Sequence, residues 1–208
     1  MTNDKLLAFL QSTGGIGPRQ AAEIAAEFTP RSVRKAHFLL RAGRVSDEYL
    51  FLDQGVMRAF AHTPAGHEVT TGFFAEGQVV FEVASFFLQQ PAQEDIQALT
   101  DCAGWCLTHA RMNALFHARD EFREFGRALL VRGFAALKTR MLATITEPAA
   151  VCYEALLRDS PAVLQHAPLR HVASYLGITD TSLSRLRKEA ARRQASPLAA
   201  AKDNSQQA

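Results

Sequence analysis

The stretch of this chain best equipped for chemistry is Leu169-Arg170-His171-Val172-Ala173-Ser174-Tyr175-Leu176-Gly177-Ile178-Thr179-Asp180-Thr181-Ser182-Leu183-Ser184-Arg185-Leu186-Arg187-Lys188. It reads as helix, three-residue turn, helix. Val172 and Leu176 lie four apart on one helix face. Ala173 is small where a second helix must cross closely. Gly177 follows the first helix, where left-handed backbone is cheap only for glycine. Ile178 plugs the corner, and Thr179 is a good cap for the second helix. Leu183 and Leu186 then face back towards Val172 and Leu176. Together these are the demands of a helix-turn-helix. The alternative is a helical hairpin used only for packing.

The outward face of the second helix carries the chemistry. Asp180, Thr181, Ser182, Ser184, Arg185 and Lys188 are polar, and mostly short at the N-terminal end. A helix entering a major groove needs short side chains where backbone and bases approach. It also needs long cations to reach guanine or phosphate. The helix N-terminus and the Thr179 hydroxyl suit a phosphate. Arg170 adds a cation to the same segment. Between Pro168 and Arg193 six cations face only Asp180 and Glu189, a local charge of +4 on a chain whose total is +2. A compact basic end on a near-neutral body points to a polyanion partner. A solvated helix face is the plain alternative.

The rest of the chain must position that segment. With 208 residues, 48% apolar and 21% charged, the composition is that of an ordinary folded protein of one or two domains. It excludes a disordered chain, a collagen and a disulfide-dense miniprotein. No run approaches the roughly 18 apolar residues of a membrane span. The N-terminus lacks a basic region followed by an apolar core, so no signal peptide is expected. Cys102, Cys106 and Cys152 are too few for a disulfide framework, which fits a reducing cytoplasm as the expected location.

Residues 1–36 read as short helices, Lys5 to Leu10 and Pro18 to Phe28. Residues 37–110 change character. Phe38 to Leu40, Tyr49 to Leu52, Val56 to His62, His67 to Phe74, Ile96 to Leu99 and Gly104 to Leu107 read as short strands between glycine turns. That spacing predicts a β-barrel or sandwich. Residues 119–146 contain no proline. Leu130, Phe134, Leu137, Met141 and Ile145 recur at helical spacing, with Phe122, Phe125, Leu129 and Ala136 as a second stripe. Two apolar stripes need two partners. One is the β-domain, and a second copy of the same helix is expected to supply the other. Burial within one monomer is the alternative. Residues 147–193 read as several short helices. Gln194 to Ala208 read as a frayed tail.

Other chemistries are poorly supported. Gly14-Gly15-Ile16-Gly17-Pro18 lacks the strand and the Gly-Lys-Ser/Thr ending of a phosphate loop. Cys102 and Cys106 read as small core residues rather than a redox pair. His62 and His67 flank a turn without a third ligand, so no metal is expected. No nucleophile elbow, zinc-hydrolase or dinucleotide motif is present, and the chain reads as no enzyme.

The order β-domain, long helix, helix-turn-helix resembles the Crp–Fnr family of bacterial transcription regulators. The likeness is closest over Val172 to Thr179 and Leu183-Ser184-Arg185, and it implies that Ser184 and Arg185 lie near the groove, with Arg185 the residue expected to touch a base or a phosphate. In the β-domain it rests on Gly43, Gly55, Gly66 and Gly77 at family-like turns. The resemblance implies an α+β chain: an N-terminal β-roll or jelly-roll domain of the cyclic-nucleotide-binding type over 1–118, with a long dimerisation helix over 119–146. A helix-turn-helix domain over 147–193 and a tail over 194–208 complete it. It further implies a homodimer on a pseudo-palindromic DNA operator, with RNA polymerase as a further partner and no membrane. After Lys188 there is little room for the C-terminal β-hairpin of many relatives, which implies fewer backbone contacts.

Family members that bind cyclic nucleotide carry a Gly-Glu pair and then an Arg-Ser/Thr pair. Here Phe81-Glu82, followed by Val83, stands in the first place, and Ala92-Gln93 in the second. Glu82 still suits a ribose hydroxyl. Neither Ala92 nor Gln93 replaces a bidentate arginine, and Glu94-Asp95 lie beside them. Cyclic AMP is therefore not expected to bind tightly. The pocket is expected to take another effector or to be filled by Phe81, Phe86 and Phe87. The iron–sulfur members need four cysteines, and this chain has three. The rival reading is a small-molecule-binding or protein-interaction module that does not touch DNA.

Overall fold

The computed structural model describes residues 2–190; the expected tail over 194–208 lies outside them. Two antiparallel four-stranded sheets form a β-roll, with strand orders β1-β8-β3-β6 and β2-β7-β4-β5. The first sheet contains β1 (Thr29–Val33), β8 (Cys102–Thr108), β3 (Glu48–Gln54) and β6 (Val79–Val80). The second contains β2 (Phe38–Leu40), β7 (Asp95–Ala98), β4 (Met57–His62) and β5 (Glu68–Phe74). Gly43, Gly55, Gly66 and Gly77 all turn the chain at positive φ.

β3 shows why the roll needs helices around it. Its Leu50 and Leu52 point between the sheets, with Leu40, Met57, Ile96, Cys102 and Cys106. Its Tyr49 and Phe51 point outward and are just as buried, because helices cover that face. A strand covered on both sides reads as a continuous apolar run. β8 runs against β3 so closely that a Cβ at Gly104 would stand 2.2 Å from the Phe51 carbonyl oxygen.

The covering helices are α1 (Asp4–Gln11), α2 (Pro18–Ala25), the short α3 (Val83–Leu88), α4 (His109–Ala118) and the start of α5 (Asp120–Thr146). Leu6, Leu10, Ile24, Met112, Leu115, Phe122 and Phe125 close this second core. A Cβ at Gly126 would lie 2.7 Å from the Phe116 ring, so α5 is seated tightly on α4.

Leu129 still packs against this core, and beyond it α5 leaves the β-roll. Leu130, Phe134, Leu137, Met141 and Ile145 stay exposed along one face. Then follow α6 (Ala149–Asp159), α7 (Pro161–His166), α8 (Leu169–Tyr175) and a helix over 180–190, here α9.

Several elements differ from the sequence reading. α2 ends at Ala25, and Thr29–Val33 is a strand held by pairing with Cys102–Cys106. Ala136 is exposed and does not continue the packed stripe of Phe122 and Phe125, because α5 has already left the β-roll there.

Candidate nucleic-acid interface and the pocket of the β-roll

The corner between α8 and α9 is built by short-range bonds. Gly177 adopts φ +67°. The Ile178 N–H reaches the Ala173 carbonyl at 3.0 Å, and the Gly177 N–H reaches the Ser174 carbonyl at 3.2 Å. That bond pair is a Schellman ending, which satisfies the last carbonyls of α8. The Thr179 hydroxyl accepts the Ser182 N–H at 3.2 Å and caps α9. Val172, Ala173 and Leu183 are fully buried with Tyr153, Leu156, Val163 and Ala167, and Leu176 and Ile178 pack against them. Leu186 sits farther out, in a crevice with Ala150, Tyr153 and Ala190.

The opposite face is open to solvent. Thr179, Asp180, Thr181, Arg185 and Lys188 are exposed, and Ser182 and Ser184 are half-buried. Thr179, Thr181 and Ser182 gather at the N-terminus of α9, and Arg185 and Lys188 follow along it. Arg170 is exposed on α8. Among the described residues, no carboxylate lies within 4.0 Å of Arg170, Arg185 or Lys188. Unpaired cations beside uncharged donors and a helix N-terminus suit phosphates and base edges.

The structure adds a feature that sequence reasoning missed, in which α8 docks on the β-roll. The Arg58 side chain on β4 is only 2% exposed. One of its nitrogens donates to Glu68 on β5 at 2.7 Å, another hydrogen-bonds Nδ1 of His171 on α8, and its carbon lies 3.9 Å from the Phe60 ring centre. Burial, followed by the charges of Arg58 and Arg170, pulls His171 down to about 4. The Ser174 hydroxyl accepts the Thr70 N–H and donates to the Glu68 carbonyl at 3.4 Å. The Tyr175 ring packs on Phe73, and Arg140 of α5 donates to its hydroxyl. The period-two pattern of Met57 to His62 marks a strand, but nothing local marks Arg58 as buried, because its partners lie 10 and 113 residues away.

The pocket residues are dispersed. Phe81 packs against Tyr49, Phe86 and Phe87, with ring centres 4.9, 5.4 and 6.0 Å away. The Glu82 carboxylate accepts the N–H groups of Ala84 and Ser85 and so caps α3, with Val83 exposed beside it. Ala92 is buried in the core between the sheets, and Gln93 points to solvent. Burial pushes the Glu94 carboxyl up, and the nearby Glu82 carboxylate pushes it further. Ala92 and Gln93 offer no guanidinium at the place where the family's arginine meets a cyclic phosphate, so these two residues do not fit that group. A cavity of about 320 Å³ remains beside Phe81, bordered by Phe38, Leu40, Arg41 and Ser46.

Cys102 and Cys106 are buried in β8, and burial pushes Cys106 up to about 12, far from a reactive thiolate. Among the described residues, no group of three or more His, Cys, Asp and Glu is placed to hold a metal ion. No described helix is long and apolar enough to cross a membrane.

Comparison with known proteins agrees with this architecture. Residues 30–119 match the cyclic nucleotide-binding domain family. No sequence among the curated proteins matches the chain. Among solved structures, FixK2 of Bradyrhizobium japonicum is similar at 15% identity and a TM-score of 0.70, covering 80% of this chain and 86% of its own. The c-di-GMP-responsive global regulator CLP of Xanthomonas campestris is similar at 15% identity and 0.63, covering 83% and 91%. The catabolite activator protein of Thermus thermophilus follows at 19% identity and 0.55, covering 89% and 88%. At these identities the likeness establishes a shared fold.

Proposed function

We infer that this chain, a cyclic nucleotide-binding-type β-roll joined by a long helix to a helix-turn-helix, is a transcription regulator of the Crp–Fnr kind that binds duplex DNA. The observation that carries the reading is the division of α9 into two faces. Leu183 is fully buried in the domain core, while Thr181, Arg185 and Lys188 are exposed and, among the described residues, no carboxylate lies within 4.0 Å of either cation. A helix used only for packing has no reason to gather short donors at its exposed N-terminal end and line the same face with cations.

The working unit is a homodimer. Phe134 and Ile145 on α5 are 72% and 73% exposed, and Leu130, Leu137 and Met141 join them in one stripe about 20 Å long. A second α5 covers that stripe and places two recognition helices on a pseudo-palindromic site, about one helical turn apart. Bound there, the protein acts on transcription by recruiting or excluding RNA polymerase. Cyclic AMP does not bind tightly in this reading, because Phe81 stands where glycine, and Ala92-Gln93 where the arginine pair, would be needed. An effector of other chemistry acts by changing how the two long helices meet, and so the spacing of the recognition helices.

The test is selection of duplexes from a random pool on the full chain, followed by binding at several salt concentrations. The reading expects a palindromic motif and affinity that falls steeply with salt. A monomer that enriches no motif at any salt concentration favours the rival, a module that binds a small molecule or a protein.

A further inference from the structure

The helix-turn-helix is joined to the rest of the chain by two attachments of different kinds. The first is covalent. α5 ends at Thr146 and α6 begins at Ala149, so Glu147 and Pro148 are the whole connection. Both are extended rather than helical. Alongside this joint, between α5 and the helices α6 and α8, runs a groove of about 580 Å³ bordered by Ala136, Arg140, Ala143, Cys152 and Leu176. Across the groove the contacts are local: the Cys152 thiol meets the Ala143 carbonyl at 3.7 Å, and Arg140 donates to the Tyr175 hydroxyl at 3.3 Å. The covalent joint therefore leaves the orientation of the DNA-binding helices under-determined.

The second attachment is the docking of the helical domain on the β-roll: Val56, Phe73, Ala75 and Leu99 pack with Tyr153, Val163 and Val172, and a polar, directional set of bonds joins α8 to β4 and β5. The Ser174 hydroxyl takes the N–H of Thr70 and gives its proton to the carbonyl of Glu68. It thus bonds both a donor and an acceptor on the free edge of β5, which fixes the height of α8 to within the two-residue repeat of that edge. The Arg58 guanidinium is planar and buried, with one arm on Glu68 and another on His171. A forked donor held between two acceptors fixes rotation as well as distance. Tyr175 on Phe73, steadied by Arg140, closes the third side.

We propose that Arg58, Glu68, His171 and Ser174 form a latch that sets the orientation of α9 relative to the β-roll, and that they act as positioning residues for DNA readout. The positioning role rests on the DNA-binding reading above. None of the four lies on the exposed face of α9. They act by holding α8, and α9 is tied to α8 through Gly177 and the shared core of Val172 and Leu183. The latch requires His171 with a free lone pair on Nδ1, since a guanidinium has only protons to offer.

Two readouts test this, and one of them does not involve DNA. The first is amide exchange at Thr70, whose N–H is covered only while α8 is docked. The second is selectivity for half-site spacing, measured on wild-type-selected duplexes rebuilt with one to five base pairs added or removed. In a His171→Leu, Ser174→Ala double variant, Thr70 exchange should rise by about tenfold or more. Spacing selectivity should fall by at least about threefold, because the recognition helices are no longer held at one separation. His171→Asn keeps an acceptor for the guanidinium and should retain most of both properties. If the double variant does not fold, Ser174→Ala alone removes only a hydroxyl and carries the same two readouts. Faster exchange with unchanged spacing selectivity overturns the positioning role. Unchanged exchange overturns the latch itself. A wild-type chain that keeps Thr70 protected yet binds no duplex overturns the functional reading, and the positioning role falls with it.

Discussion

The backbone N–H of Thr70 donates to the hydroxyl of Ser174 at 3.0 Å, across 104 residues of sequence. β5 is the edge of its sheet, and an uncovered edge is a template for unwanted pairing. Here a helix of the C-terminal helical domain covers that edge with a side chain where a strand would use its backbone. A sheet edge and a helix-turn-helix thereby become parts of one interface, and much of what can be tested follows from that contact.

The first prediction concerns pH. His171 is buried beside Arg58, Glu68, Arg170 and Asp180, and its value is pulled down to about 4 from the usual 6.5. The unfolded or undocked state then binds more protons than the docked state between those two values. The docked arrangement is therefore fully stable above about 6.5 and loses stability as the pH falls towards 4. Amide exchange at Thr70, followed from pH 7 to 5 with intrinsic rates removed, should show progressively weaker protection. A flat profile would mean that His171 does not titrate with docking.

The second concerns base readout. Arg185→Ala should cost about 1–3 kcal/mol on a selected operator if the guanidinium reads a guanine, and should relax preference at that position alone. Lys188→Ala should weaken all duplexes alike and lower the salt slope by about one. Fluorescence anisotropy at three salt concentrations separates the two roles. Equal affinity of wild type and Arg185→Ala would remove that residue from the interface.

The third concerns assembly. Phe134→Glu places a charge in the middle of the exposed stripe on α5 while touching nothing in the β-roll. Sedimentation velocity should show the wild type as a dimer and the variant as a monomer, with duplex affinity falling in parallel. A dimer that survives this change must use another face.

The fourth concerns the corner. Gly177 adopts φ +67°, and an added Cβ would meet nothing within 4 Å. Gly177→Ala therefore isolates backbone strain, which should cost roughly 1 kcal/mol, and Gly177→Asn should cost less. Denaturant unfolding of the C-terminal domain measures both, and an unchanged midpoint for the alanine variant would contradict the conformation.

The fifth concerns the pocket. Calorimetry with cyclic AMP should show no saturable heat at micromolar ligand. Ordinary micromolar binding would mean that Phe81 swings out of its contacts with Tyr49, Phe86 and Phe87 and that another cation meets the phosphate.

The parts legible in the sequence are those governed by short-range rules. Gly177, Ile178 and Thr179 specify their corner within a few residues, and the structure contains it as capped helices. β1 was hidden because its Thr29-Pro30-Arg31-Ser32 start carries no apolar alternation, and it exists through pairing with β8 seventy residues on. Glu82 reads as a ligand-facing carboxylate, yet it caps the short α3, a use that depends on where that helix begins. Arg58 is the sharpest case. In the sequence it is an ordinary strand cation, and only the fold shows that two distant segments close over it.

The seat of Gly126 against the Phe116 ring has a mechanical consequence. It makes α4 and the first turns of α5 a single rigid root, from which α5 runs roughly 30 Å further to Thr146, and the docking of α8 on β5 is what resists a tilt there. A tilt of about five degrees at that root sweeps the far tip by on the order of 3 Å. That is close to the rise of one base pair, so a displacement too small to see inside the β-roll is large enough to matter on a duplex.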